Sequence, residues 1–93
     1  MREKIAQIIE PIKNSRGCGI NIFKEDGQYV WAYFGWAHKL PEGTVMRHFP
    51  LGDVADFDQL KADVTELICG TDFQMYDGTT EDGAPAIKLY LAD

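Results

Sequence analysis

The chain has no long apolar run, few cysteines and a shortage of positive charge, and each lack removes a class of protein. No stretch approaches the ~20 consecutive apolar residues that a membrane-spanning helix needs, so no membrane partner is expected. The opening residues MREKIAQIIEPIK carry no small-residue cleavage site, which makes the cytoplasm the expected location. Cys18 and Cys69 are too few for the disulfide framework of a small secreted domain; both are expected to be free, buried thiols.

Cations are scarce. Nine Lys and Arg stand against 15 Asp and Glu, a net charge of -6. Binding to a phosphate backbone needs clustered Lys and Arg, so direct nucleic-acid binding is not expected. Motifs of chemistry are missing too. There is no phosphate-binding glycine loop, nucleophile elbow, CxxC pair or HExxH helix, and neither enzymatic activity nor a cofactor is expected. Cys18, Cys69, His38 and His48 are ligand types suited to zinc, but their spacing matches no finger or ribbon. Asp53, Asp56, Asp58 and Asp63 depart from the spacing of a calcium loop. No metal is expected.

What is present points to one α+β domain over residues 1–93. Ile5, Ile8, Ile9 and Ile12 recur at helical spacing, with Pro11 kinking or ending the helix near residue 10. Residues 19–36, GINIFKEDGQYVWAYFGW, read as a hairpin whose Asp26-Gly27 turn tolerates positive φ. A third strand is expected in TVMRHFP, residues 44–50. A second helix follows, capped by Asp56 or Asp53, striped with Phe57, Leu60, Val64, Leu67 and Ile68, and stopped at Gly70. Two more strands, TDFQMYD and APAIKLYLAD, complete the order αββ(β)αββ. The expected architecture is an antiparallel sheet of four to five strands with both helices on one face. A weak αββ repeat, with Cys18-Gly19 and Cys69-Gly70 in similar places, is compatible with duplication.

Both faces of the first hairpin are apolar. One carries Ile20, Ile22, Tyr29, Trp31 and Tyr33; the other carries Phe23, Val30, Ala32, Phe34 and Trp36. Phe23, Val30, Ala32 and Phe34 are compact enough to pack beneath the helices. That assignment leaves Tyr29, Trp31 and Tyr33 for a partner, and Trp36, the remaining member of the aromatic set, is read with them as a partner anchor, since Tyr and Trp are typical of interfaces.

Residues 51–93 hold two lysines and ten acids. Asp53, Asp56, Asp58, Asp63 and Glu66 are therefore read as a surface that steers a basic protein partner. The leading expectation is a small acidic interaction module, not an enzyme, that binds and blocks or regulates a larger macromolecule. Small acidic chains of this kind include phage-encoded inhibitors of bacterial defence systems, an analogy of composition without a motif. Two alternatives stand beside it: a small-ligand binder or small enzyme with a pocket between sheet and helices, and a structural homodimer joined through the aromatic face.

Overall fold

The computed structural model describes every residue from Met1 to Asp93. Helix α1 runs Arg2–Ile9 and tightens into a 3-10 turn, Glu10–Ile12, where Pro11 cannot supply the next backbone donor. Ile12 stays fully buried on that turn. Strands β1 (Cys18–Glu25) and β2 (Gln28–Phe34) form the hairpin in the expected register, from Glu25 opposite Gln28 to Gly19 opposite Phe34. Asp26 and Gly27 both have positive φ, 51° and 80°, as a type I′ turn requires.

The third strand is shorter than expected. Only β3, Phe49–Pro50, pairs with β2, at Val30 and Trp31. Met46 sits at φ 57° with its side chain 93% exposed, so residues 44–47 turn instead of extending. Helix α2 runs Phe57–Ile68. The Asp56 carboxylate caps it by accepting from the backbone N–H groups of Asp58 and Gln59, at 3.0 and 3.4 Å. Gly70, at φ 83°, follows its end. Strands β4 (Phe73–Thr79) and β5 (Pro85–Leu91) form the second hairpin.

All pairings are antiparallel, and the sheet order is β3-β2-β1-β5-β4. The two hairpins thus lie side by side, joined by β1 and β5. This junction decides which side is core. Ile20 faces Leu89 and Ile22 faces Ile87, so the branched apolar residues of both strands rise from one face. Ile5, Ile8 and Ile12 from the first helical segment, and Leu60 and Val64 from α2, close over them, with Leu51 filling beside β2. No helix is long and apolar enough to cross a membrane.

The hairpin is therefore turned over relative to the expectation. Tyr29, Trp31 and Tyr33 lie on the helix-covered face, and Phe23, Val30, Ala32 and Phe34 on the other. Three contacts fix that choice. The Tyr33 hydroxyl donates to the Ile8 carbonyl at 2.7 Å inside the core, satisfying a buried acceptor at the end of α1. Trp31 stacks on Phe49, and Tyr29 on Phe57 at the start of α2. Two further expectations shift. Cys69 is exposed at the end of α2 while Cys18 is buried, and Ile9 and Leu67 are half-buried at the margin of the core.

Leu60→Ala and Leu89→Ala should each cost about 2–5 kcal/mol in denaturant titration, because each leaves a cavity between sheet and helices. Phe23→Ala, on the uncovered face, should cost clearly less. Equal losses would mean that the two faces are equally packed. Tyr33→Phe orphans the Ile8 carbonyl and should cost about 1–3 kcal/mol at neutral pH.

Tyr33 also predicts an alkaline dependence. Burial raises its pKa above the ordinary tyrosine value of 10.0. The unfolded chain then loses that proton first. The stabilising contribution is complete below pH 10 and is lost as pH climbs toward the folded-state value. Stability curves from pH 9 upward should fall less steeply in Tyr33→Phe than in the parent.

Candidate functional site: the uncovered sheet face and the acidic end

With both helices on one side, the other face of the sheet has no cover. Its centre is built on Gly19. A Cβ at that position would come within 2.1 Å of the Leu89 carbonyl oxygen and 2.5 Å of the Phe34 ring. The glycine therefore lets Phe34 fold flat across β1, where it stacks on Tyr90 with 5.8 Å between ring centroids and 20° between planes. Lys88 holds its ammonium 5.3 Å from the Phe34 centroid, and Trp36 lies against Gly17 at the end of β2. Toward the other end, Phe23 meets His48 edge-on, and His48 Nδ1 is 2.9 Å from the Glu25 carboxylate.

A groove of about 840 Å³ runs along this face, walled by Phe23, Phe34, Tyr90 and Tyr76, with Asn21 and Lys88 as its polar points. It is broad and open.

The second feature is electrostatic. Asp26 lies in the β1–β2 turn, and the β4–β5 turn carries Glu81 and Asp82. The pairing of Ile22 with Ile87 and of Thr79 with Pro85 brings these two turns to the same end of the sheet. Phe57, stacked on Tyr29, brings the start of α2 there as well, with Asp53, Asp56 and Asp58. None of these six acids has an ion-pair partner. At the opposite end the charges are largely paired: Lys13 with Glu10 and Arg16 with Asp72, while the Lys39 ammonium donates to the Arg16 carbonyl. Acids without ion-pair partners are thus gathered at one end of the strands.

Of the aromatic side chains expected as anchors, Trp36 alone is strongly exposed, at 54%. Tyr33 is core, and Trp31 and Tyr29 are half-buried against it, so these three are supports of the fold. The acidic set also divides. Asp53, Asp56 and Asp58 sit at the acidic end. Asp63 is half-buried and accepts from the Gln59 amide at 3.0 Å, while Glu66 pairs with Arg2 at 3.1 Å. Phe23, Phe34, Tyr90 and Lys88 were not singled out as site residues, nor were Asp26, Glu81 and Asp82. The alternation of β5 held the signal for Tyr90 and Lys88: Ile87, Leu89 and Leu91 must face the core, which turns Lys88 and Tyr90 away from it.

No group of three His, Cys, Asp or Glu side chains is placed to hold a metal ion. Cys18 is buried, with its Sγ 3.7 Å from the Trp36 carbonyl oxygen, and Cys69 is exposed at the far end of α2.

The class defined here is an α+β domain with a five-stranded antiparallel sheet, covered by helices on one side only. No protein-family model matches the chain, and no curated protein or solved structure is significantly similar to it.

Gly19→Ala should displace Phe34 and unstack it from Tyr90. The expected result is a loss of the near-ultraviolet aromatic signal of the pair, together with a stability loss, and Gly19→Ala with Phe34→Ala should recover part of that loss. If the double variant is as unstable as the two single losses added together, the close approach of Phe34 is not what Gly19 serves.

Proposed function

We propose that this chain is a non-enzymatic interaction module that docks on a protein with a basic surface and blocks or regulates it. The supporting observation is the uncovered aromatic face, whose Phe34–Tyr90 stack is flanked by Trp36 and leads toward the acidic end. Aromatic anchors on a rigid sheet lose little conformational freedom on binding, the usual property of a hot spot. The charge supports the choice of partner. Six acids without ion-pair partners gathered at one end favour encounter with a cationic surface, and Lys88 alone is too little positive charge for a nucleic-acid strand.

A small-ligand reading has one observation in its favour: Asn21, Lys88 and Tyr90 converge on a groove of about 840 Å³, within the size range of ligand pockets. The groove is open along its length, which suits a macromolecular surface better than an enclosed small molecule.

The test compares the parent, a Phe34→Ala/Tyr90→Ala variant and an Asp26→Lys/Asp58→Lys variant. Each is used to capture partners from the source cell, and the protein retained is then purified for kinetic measurement. The aromatic variant should lose about 2 kcal/mol of binding or more, roughly 30-fold in Kd, with its fold intact by circular dichroism. The charge variant should mainly slow association, and rising salt should slow association of the parent in the same way. A partner held equally by all three would place the interface elsewhere.

A further inference from the structure

Strand β3 stops short of what its sequence favours. TVMRHFP, residues 44–50, reads as a strand, yet only Phe49–Pro50 pair with β2. Strand alternation is kept as far back as Arg47. Its guanidinium lies 5.6 Å from the Phe49 ring, which stacks on Trp31 of the covered face, while His48 lies on the open face against Phe23. The break comes at Met46. Its φ of 57° is a left-handed conformation costly to any bulky residue, and at 93% exposure Met46 gains no packing in return.

Strand β2 is left incomplete at the matching place. The Leu51 N–H donates to the Tyr29 carbonyl at 3.0 Å, which fixes the phase of this edge: Tyr29, Trp31 and Tyr33 direct their backbone groups toward β3. Tyr29 is met by Leu51, and Trp31 pairs with Phe49. Tyr33 is only 7% exposed, yet its N–H and C=O have no hydrogen-bond partner in the chain, a rare condition for a buried residue. The residue opposite it in this register is Arg47, whose N–H instead reaches the Thr44 carbonyl across the turn at 3.4 Å.

We propose that residues 44–48 form a strap that closes onto β2. On closing, Met46 leaves the left-handed region, Arg47 exchanges two hydrogen bonds with Tyr33, and β3 lengthens toward Met46. The open state is held by the Arg47 N–H on Thr44 and by the Thr44 N–H and hydroxyl on Pro41. Opposing terms act on the strap. Closure gains the Tyr33 bonds and relieves the strain at Met46, and it costs the entropy of ordering an exposed turn. His48 Nδ1, 2.9 Å from the Glu25 carboxylate, pins the downstream end, so the movement is confined to the turn before it.

Closure changes the open face. Continuing the register of Val30 with Pro50 and Trp31 with Phe49 sets Met46 opposite Phe34, and antiparallel partners share a face. Met46 then adds a flexible apolar side chain beside the Phe34–Tyr90 stack. What drives closure rests on the docking reading above. The two states themselves rest on Tyr33 and Met46 alone.

The experiment reads the Tyr33 and Arg47 amides by NMR in the full chain, without a partner. Met46→Gly accepts the left-handed turn freely, whereas Met46→Val opposes it and favours the strand. The left-handed cost of a residue with a side chain corresponds to a factor of about ten. Hydrogen exchange at both amides should therefore be about tenfold slower in Met46→Val than in Met46→Gly, with the parent between them. In a Cys69→Ser background, Phe34→Cys/Met46→Cys should close an internal disulfide under mild oxidation, because non-bonded antiparallel pairs stand about 4.5 Å apart at Cα. Phe34→Cys/Val45→Cys should not.

Exchange rates that are the same in all three chains overturn the proposal, as does equal cross-linking of the two cysteine pairs. If a residue-46 variant fails to fold, the cross-linking pair decides. Toward the protein retained in the capture above, Met46→Gly should bind at least about threefold more weakly than Met46→Val. If the two bind alike while Phe34→Ala/Tyr90→Ala loses binding, the docking reading stands and its coupling to the strap is overturned. If Phe34→Ala/Tyr90→Ala binds like the parent, the docking reading fails, and exchange and cross-linking still decide the strap.

Discussion

The pairing of β1 with β5 is the constraint on which the rest of the molecule depends. Strand side chains alternate, so one register choice at this junction assigns every residue of five strands to the core or to the open face. With Ile20 opposite Leu89 and Ile22 opposite Ile87, four branched side chains share one face, at about 1.5–3 kcal/mol each for full burial. Slipping by one residue would put Lys88 and Tyr90 under the helices and Leu89 in water. The helices follow from that choice, because the stripes Ile5-Ile8-Ile12 and Leu60-Val64 have nowhere else to be buried. Ion pairs contribute little beside this. All five are substantially exposed, and exposed pairs are worth about 0–1 kcal/mol.

The same choice leaves the other face of the sheet open. A chain of this length supplies two helices, and they suffice for one face of the sheet. The reverse face is left with an aromatic array that secondary structure cannot cover: Phe34 over Gly19, Tyr90 stacked on it, Trp36 at the end. Polar atoms are distributed accordingly. Tyr33, whose ring must go inside, meets the Ile8 carbonyl, whereas Lys88 on the open side lays its charge beside a ring and keeps its ammonium in solvent.

Element types and order were legible in the residues because each rests on local chemistry. Asp26-Gly27 dictates its own turn, Asp56 its own cap, and Pro11 the end of α1. The orientation of the hairpin was not legible from the hairpin. Its two faces are equally apolar, and residue size suggested that the smaller set belonged under the helices. What decides the matter is non-local: β5 alternates cleanly, and it pairs with β1 in a register that no segment announces by itself. The short β3 was missed for a local reason of another kind, a left-handed Met46 in a stretch of good strand formers. The acidic site was half legible. Asp53, Asp56 and Asp58 stand out in the sequence, while Asp26, Glu81 and Asp82 join them only when the two hairpin turns are brought to one end.

That gathering has a physical consequence. Acids scattered over a surface raise net charge and little else, but unpaired acids gathered at one end of the strands, with Lys13 and Arg16 at the other end paired to Glu10 and Asp72, concentrate the negative potential there. A cationic surface approaching from beyond the Debye length of about 8 Å feels chiefly the net charge; inside it, the acidic end orients the encounter. The groove runs along the strands from Gly17 to Thr80. In the proposed mode of docking, a partner drawn to the Asp26–Asp58–Asp82 end would therefore meet the aromatic groove directly. The acidic end and the aromatic groove lie along one line, and the pairing of β1 with β5 sets the direction of both.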